Sequence, residues 1–169
     1  MKKSILSVIA IAVACVFVFT SCEKPTMTSY LTTEKGWTLS EATSTPAWTL
    51  DDVNGTQITD LTQGYVYECE VDDIIKFNND GFEYLNPGEN LCDDQASQEQ
   101  PIGKWAINEE DKVLDMQIPF FYDDEVESCS ILELTKDQLK VQYAWELTAD
   151  QTKGVPGKYT FTLTYVPAK

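Results

Sequence analysis

Histidine and arginine are both missing from this 169-residue chain; its 12 basic residues are all lysine. Without an imidazole base, Ser-His-Asp and Cys-His catalysis are excluded, and so are histidine-ligated zinc sites. No glycine-rich phosphate loop appears. Positive charge is scarce altogether: 28 acidic residues leave a formal net charge of -16. Such a surface does not neutralise phosphates, so nucleic acid is not an expected partner. It reads as solvated and self-repelling. With 28 carboxylates some acidic pair is inevitable, so a glycosidase-type pair carries no information here. The expectation is a protein that is not an enzyme, with no cofactor, metal or catalytic residue assigned.

Long apolar runs are also lacking. Ile5–Phe19 spans 15 residues and is broken by Ser7, short of the roughly 20 that cross a bilayer. The run follows Met1-Lys2-Lys3 and ends in Phe19-Thr20-Ser21-Cys22. Two lysines, a short apolar stretch and small residues before a cysteine form an export signal ending at a lipid attachment site. Simple secretion needs no cysteine at that place, and a retained anchor helix needs a longer run. The expected organisation is a signal peptide at 1–21, a lipid (palmitate-type) anchor on Cys22, a flexible tether at 22–34 and one folded domain at 35–169. The tether reading rests on polarity, Pro25 and a lack of period. Acyl chains, not charge, then hold the protein in the cell envelope, at the outer membrane.

Cys69, Cys92 and Cys129 remain for an oxidising compartment, where one disulfide and one spare thiol are expected. Three pairings exist. Cys69 and Cys92 sit beside the acidic residues Glu68 and Asp93, whereas Cys129 lies in the apolar-leaning run Val126–Leu134. Cys69–Cys92 is therefore favoured, with Cys129 a small packed residue.

The remaining chain alternates with period two. Leu139, Val141, Tyr143, Trp145 and Leu147 interleave with Lys140, Gln142, Ala144 and Glu146; Tyr159, Phe161, Leu163 and Tyr165 interleave with lysine and threonines. This pattern puts one set on each face of a sheet. Ile74–Phe77 and Phe82–Leu85 flank Asn78-Asn79-Asp80-Gly81, a hairpin signature. Further strands are expected at 36–42, 103–107, 113–118 and 131–134. Segment 43–66 is ambiguous. Thr45-Pro46 and Asn54-Gly55 are turn signals, Trp48–Leu50 and Thr56–Thr59 suit hairpin arms, and Asp60 suits a helix cap. Asp123-Asp124-Glu125 reads as a turn. The fold class is all-β: an eight-stranded antiparallel up-and-down barrel, whose closure removes exposed edges, with an open β-sandwich as the alternative.

At Cys69-Glu70-Val71-Asp72-Asp73-Ile74-Ile75-Lys76-Phe77, Asp80-Gly81, Cys92-Asp93 and Gly103-Lys104-Trp105, the chain resembles the lipocalin-like lipoproteins of Bacteroidota, over about residues 36–166. The resemblance implies a lipocalin-like barrel and supports the Cys69–Cys92 pairing. It implies little about activity. Two candidate sites follow. Phe77, Tyr84, Trp105, Tyr143, Trp145, Phe161 and Tyr165 are expected to share the inner face. They either fill the barrel or line a cavity for a small apolar or amphipathic ligand. Inward tyrosines favour a polar-lined mouth. Glu70, Asp72 and Asp73 face Asp93 and Asp94 across the proposed bridge; lacking calcium-loop spacing, they read as a solvated acidic face. A filled barrel serving as a structural or protein-interaction module of the envelope is the alternative function, with its contacts on loops 43–66 and 86–101.

Overall fold

The computed structural model describes residues 24–49, 56–92, 97–119, 125–148 and 156–169. Cys22, Asn54-Gly55, Asp93, Asp94 and Asp123-Asp124, singled out above, lie outside them. A short helix, α1 (Met27–Leu31), precedes ten strand segments: β1 (Trp37–Thr49), β2 (Gln57–Asp60), β3 (Ile74–Phe77), β4 (Phe82–Asn86), β5 (Gln100–Lys104), β6 (Ala106–Asn108), β7 (Val113–Gln117), β8 (Val126–Leu134), β9 (Leu139–Leu147) and β10 (Gly157–Pro167). All pair antiparallel in one sheet, in the order β5-β4-β3-β1-β10-β9-β8-β7-β6, with β2 also on β1.

Ten segments make eight strand positions. β2 and β3 both pair with β1, interrupted by residues 61–73. β5 and β6 are consecutive in sequence but sit at opposite ends of the strand order. The chain leaves β4 at Lys104, turns at Trp105, whose N–H donates to Gly81 O at 3.1 Å, and joins β7 at Ala106. That single kinked strand brings the sheet round into a nearly closed up-and-down barrel.

The period-two segments pair as their pattern requires. Tyr159, Phe161, Leu163 and Tyr165 on β10 oppose Trp145, Tyr143, Val141 and Leu139 on β9, so both apolar sets point inward. Phe161 is the hub: it stacks on Tyr143 (5.1 Å between centroids) and meets Trp48 edge-on at 5.7 Å and Trp145 at 6.1 Å. Each such aromatic pair adds about 0.5–1.5 kcal/mol beyond area burial.

Three expectations need correction. The tether does not extend to residue 34: α1 folds onto the body, Leu31 is fully buried, and Trp37 Nε1 donates to Leu31 O at 2.9 Å. Helix α1 also donates from Thr28 to Glu109 in the β6–β7 turn, so it lies over the barrel end bearing the short turns. Thr45-Pro46 is no turn but part of β1, where β1–β2 pairing breaks between Thr43 and Trp48; a proline contributes no ladder N–H there. The first strand accordingly runs to Thr49, well past residue 42. Beyond this break Trp48 opposes Ile58 as hairpin arms, and Asp60 caps the 3₁₀ turn Leu61–Gln63, its Oδ1 accepting Thr62 N–H at 3.1 Å.

Cys69 and Cys92 form the disulfide, with Cα atoms 5.3 Å apart and a separation of 23 residues. Cys129 is a free, fully buried thiol. Closing this loop removes chain entropy from the unfolded state. The double substitution Cys69→Ser, Cys92→Ser is expected to lower the unfolding free energy by about 2–4 kcal/mol. Urea titration checks this, and reductant should have the same effect on the wild type and none on the double variant.

Candidate site at the rim of the barrel

Most of the aromatic stripe is core. Phe77, Tyr143, Phe161 and Tyr165 are buried, and half-buried Trp105 and Trp145 pack against them. Phe77 meets Trp105 at 5.7 Å, and Tyr143 meets Trp145 at 5.8 Å. Trp105 Nε1 donates to Asn78 O and Trp145 Nε1 to Glu127 Oε1. Tyr84 does not belong with them. On β4 it is Glu83 and Leu85 that are buried, so Tyr84 faces outward, and its hydroxyl donates to Asp80 Oδ2 at 3.0 Å. The aromatic character of Phe82 and Tyr84 suggests the wrong face, because a buried carboxyl is not an inward residue that hydrophobic alternation can find.

The space left open lies where β3 begins and β4 and β7 end. Cross-strand partners set its walls: Leu39 opposes Tyr165, and Ile75 opposes Leu85. Pro119 completes the apolar lining, and Glu70 and Asp73 join it from the segment held by the disulfide. The cavity is about 20 Å³, room for about one water molecule. Tyr165, 1 % exposed, lines it, and its hydroxyl has no hydrogen-bond partner. Burial first, then the neighbouring Cys129 and Glu83, push this phenol well above the usual tyrosine range. It stays a neutral donor and acceptor.

Glu83 is the second buried polar group. Its Oε2 accepts the Gln117 N–H of β7 at 2.8 Å, while Oε1 has no partner. The bond spans the seam from β4, where Glu83 is still paired with Gly103 of β5, to the end of β7, beyond its ladder with β6. Gly103 makes the approach feasible: a Cβ there would lie 2.8 Å from Gln117 Oε1. Burial pushes the Glu83 carboxyl up to about 8, opposed in part by the Gln117 hydrogen bond. Burial likewise pushes the Cys129 thiol up to about 12, with Glu127, Glu83 and Asp115 adding to it.

The acidic face resolves differently from a metal site. Asp72 Oδ2 accepts the N–H groups of Glu89 and Asn90 at 2.8 and 3.1 Å, so this carboxylate pins the β4–β5 connection. Among the described residues no group of acids or cysteines is arranged to hold a metal ion. Sequence reasoning missed Leu39, Ile75, Leu85, Pro119 and Glu83 as site residues. Ile75 and Leu85 were legible as strand residues, but nothing local assigns them to a rim.

Because folded Glu83 holds its proton up to about pH 8 and an unfolded glutamate releases it near 4.3, the folded state binds the extra proton between these values. Its contribution is complete below the unfolded value and is lost as pH rises through the folded one. Relative to Glu83→Gln, the wild type is expected to lose up to about 5 kcal/mol of stability between pH 4.5 and 8. Urea midpoints of both proteins measured from pH 5 to 9 check the slope.

Residues 26–141 match the protein family described as Lipocalin-like domain. No curated protein and no solved structure matches the chain.

Proposed function

Since the chain belongs to the lipocalin-like domain family, we propose that it is a non-enzymatic binding protein that takes a small apolar or amphipathic molecule at the rim of its barrel. The observation that carries this reading is the rim cavity lined by Leu39, Ile75, Leu85, Pro119 and Tyr165, a residue whose buried hydroxyl has no hydrogen-bond partner. An orphan buried polar group costs stability, and a ligand able to pair with it recovers that cost. The filled aromatic interior limits the ligand to the rim; the central stripe is scaffold.

The same proposal places the protein in the cell envelope, at the outer membrane. Residues 1–21 direct export and Cys22 carries the acyl chains. In keeping with this, α1 starts five residues after Cys22 on the barrel end that bears the short turns. The lipid then tethers that end, and the cavity rim points away from the bilayer.

A second reading, a filled barrel acting as an interaction module, draws on Tyr67, Val71 and Leu91, exposed by 58, 49 and 43 %. They flank the two bridged cysteines and present apolar surface there.

Tyr165→Phe separates the two. Removing an unpaired hydroxyl is expected to leave folding stability unchanged or slightly higher. Native mass spectrometry of protein purified from its own envelope should find a small molecule on the wild type and less of it, about tenfold, on the variant. A wild type that is consistently empty overturns ligand binding and favours the module. Labelled palmitate should mark the wild type and not Cys22→Ser; an unlabelled wild type overturns the anchor.

A further inference from the structure

We propose that the seam between β4–β5 and β7 is a pH-operated opening in the barrel wall, shut while the Glu83 side chain is protonated and released when it ionises. Geometry gives the first reason. Along the strand order, neighbouring strands are joined by backbone ladders; that of β9 and β10 runs from Gly157 opposite Leu147 to Tyr165 opposite Leu139. Among the described residues no ladder joins β5 to β7. The gap is crossed by the bond from Gln117 N–H to Glu83 Oε2, at 2.8 Å, and by the close approach of Gly103 to the Gln117 side chain. Local openings begin where a segment is held by few backbone bonds.

Charge gives the second reason. Glu83 is fully buried, and its Oε1 has no hydrogen-bond partner. Set against it are Phe77 on β3, Gly103 on β5 and Gln117 on β7. The titratable groups it influences are Cys129 on β8 and Tyr165 on β10, both buried and neither able to carry positive charge. Asp115 and Glu127, which also act on Cys129, are acids too. The lysines of β3 and β5 are engaged elsewhere: Lys76 with Glu99, and Lys104 over the Phe82 ring. An ionised Glu83 thus has no counter-charge among the described residues, and an unpaired buried carboxylate is costly. Parting the seam hydrates it and lays open the interior on the side of Cys129 and Tyr165.

The direction follows from linkage. Burial pushes the closed carboxyl up to about 8, whereas a hydrated glutamate ionises near 4.3. Opening therefore releases a proton between these values. The shut form is favoured on the acid side, opening gains about tenfold per pH unit through the window, and the gain levels off above the closed value. In Glu83→Gln the amide oxygen still accepts the Gln117 N–H but never ionises.

Amide hydrogen exchange of the oxidised protein, read residue by residue by NMR from about pH 5.5 to 7.5, tests the proposal. The protection factor of the Gln117 amide should fall about tenfold per pH unit in the wild type and stay flat in Glu83→Gln. It should lie below that of the β10 amides throughout and be indifferent to urea well below the unfolding midpoint, because a local opening exposes little surface. Gly103→Ala, whose Cβ drives β5 off Gln117, should lower Gln117 protection about tenfold at about pH 5.5 while β10 keeps its own. A Gln117 protection factor independent of pH in the wild type overturns the proposal. An equal slope in Glu83→Gln does the same, since another group then titrates. So does equal loss of protection at Gln117 and β10 with matching urea dependence, which is global unfolding.

Discussion

The pairing of β1 with β10 ties the two ends of the folded domain together, from Trp37 opposite Pro167 to Thr45 opposite Thr160. These residues are more than a hundred positions apart, so the loop entropy of bringing them together must be overcome by what the contact buries. It buries a great deal. Ala42, Ser44 and Trp48 from one strand and Phe161, Leu163 and Tyr165 from the other all lie inside. Every other strand is placed relative to this pair: β9 along one side of β10, and β2 and β3 along the far side of β1. Without it the meander is an open sheet with two unpaired edges.

Closure at the other side is made differently. No ladder joins β5 to β7 among the described residues. The barrel wall there depends on one kinked strand and on a glutamate side chain that reaches a backbone N–H. The seam combines a buried carboxyl and a glycine that leaves space for it, with the phenol of Tyr165, which burial keeps protonated, nearby. A ladder is indifferent to pH, whereas a carboxyl at this place makes the wall sensitive to it. The interior of the barrel thus holds an aromatic cluster around Phe161 and, apart from it, the buried Glu83 carboxyl at the seam, while Tyr165 lines the rim cavity. On the ligand-binding proposal, the ligand belongs at the rim, because dispersion contacts around Phe161 are already made.

How far this was legible depends on the element. β9 and β10 read directly, since long regular alternation leaves only one way to bury their apolar residues. The Asp80-Gly81 hairpin was equally plain, because turn chemistry is local; the Asp60 cap was one of several readings open for 43–66. β1 was not plain. A register shift between Leu39 and Glu41 inverts its parity, so Trp37 and Leu39 face inward at odd positions and Ala42, Ser44 and Trp48 at even ones. Alternation applied across that bulge loses the strand. Tyr84 failed for a related reason: on a short strand with polar and apolar residues on both faces, the decision belongs to the partner strands. Helix α1 is too short to show a period, and its one buried residue, Leu31, gives no pattern.

By itself the amino-acid sequence determined the class of the protein: a β-rich chain without the residues for imidazole or phosphate-loop chemistry, and with apolar faces long enough to demand burial; among three cysteine pairings it only favoured Cys69–Cys92, which the structure then showed. These follow from composition, local turn chemistry and period, each readable from neighbours along the chain. Tertiary structure alone decided that Glu83 faces inward, that Gly103 makes room at the seam, and that Tyr165 lines one cavity with Glu70 and Asp73. Those outcomes depend on which strand lies opposite, and the position of a bulge or a kink, not the identity of any one residue, sets that.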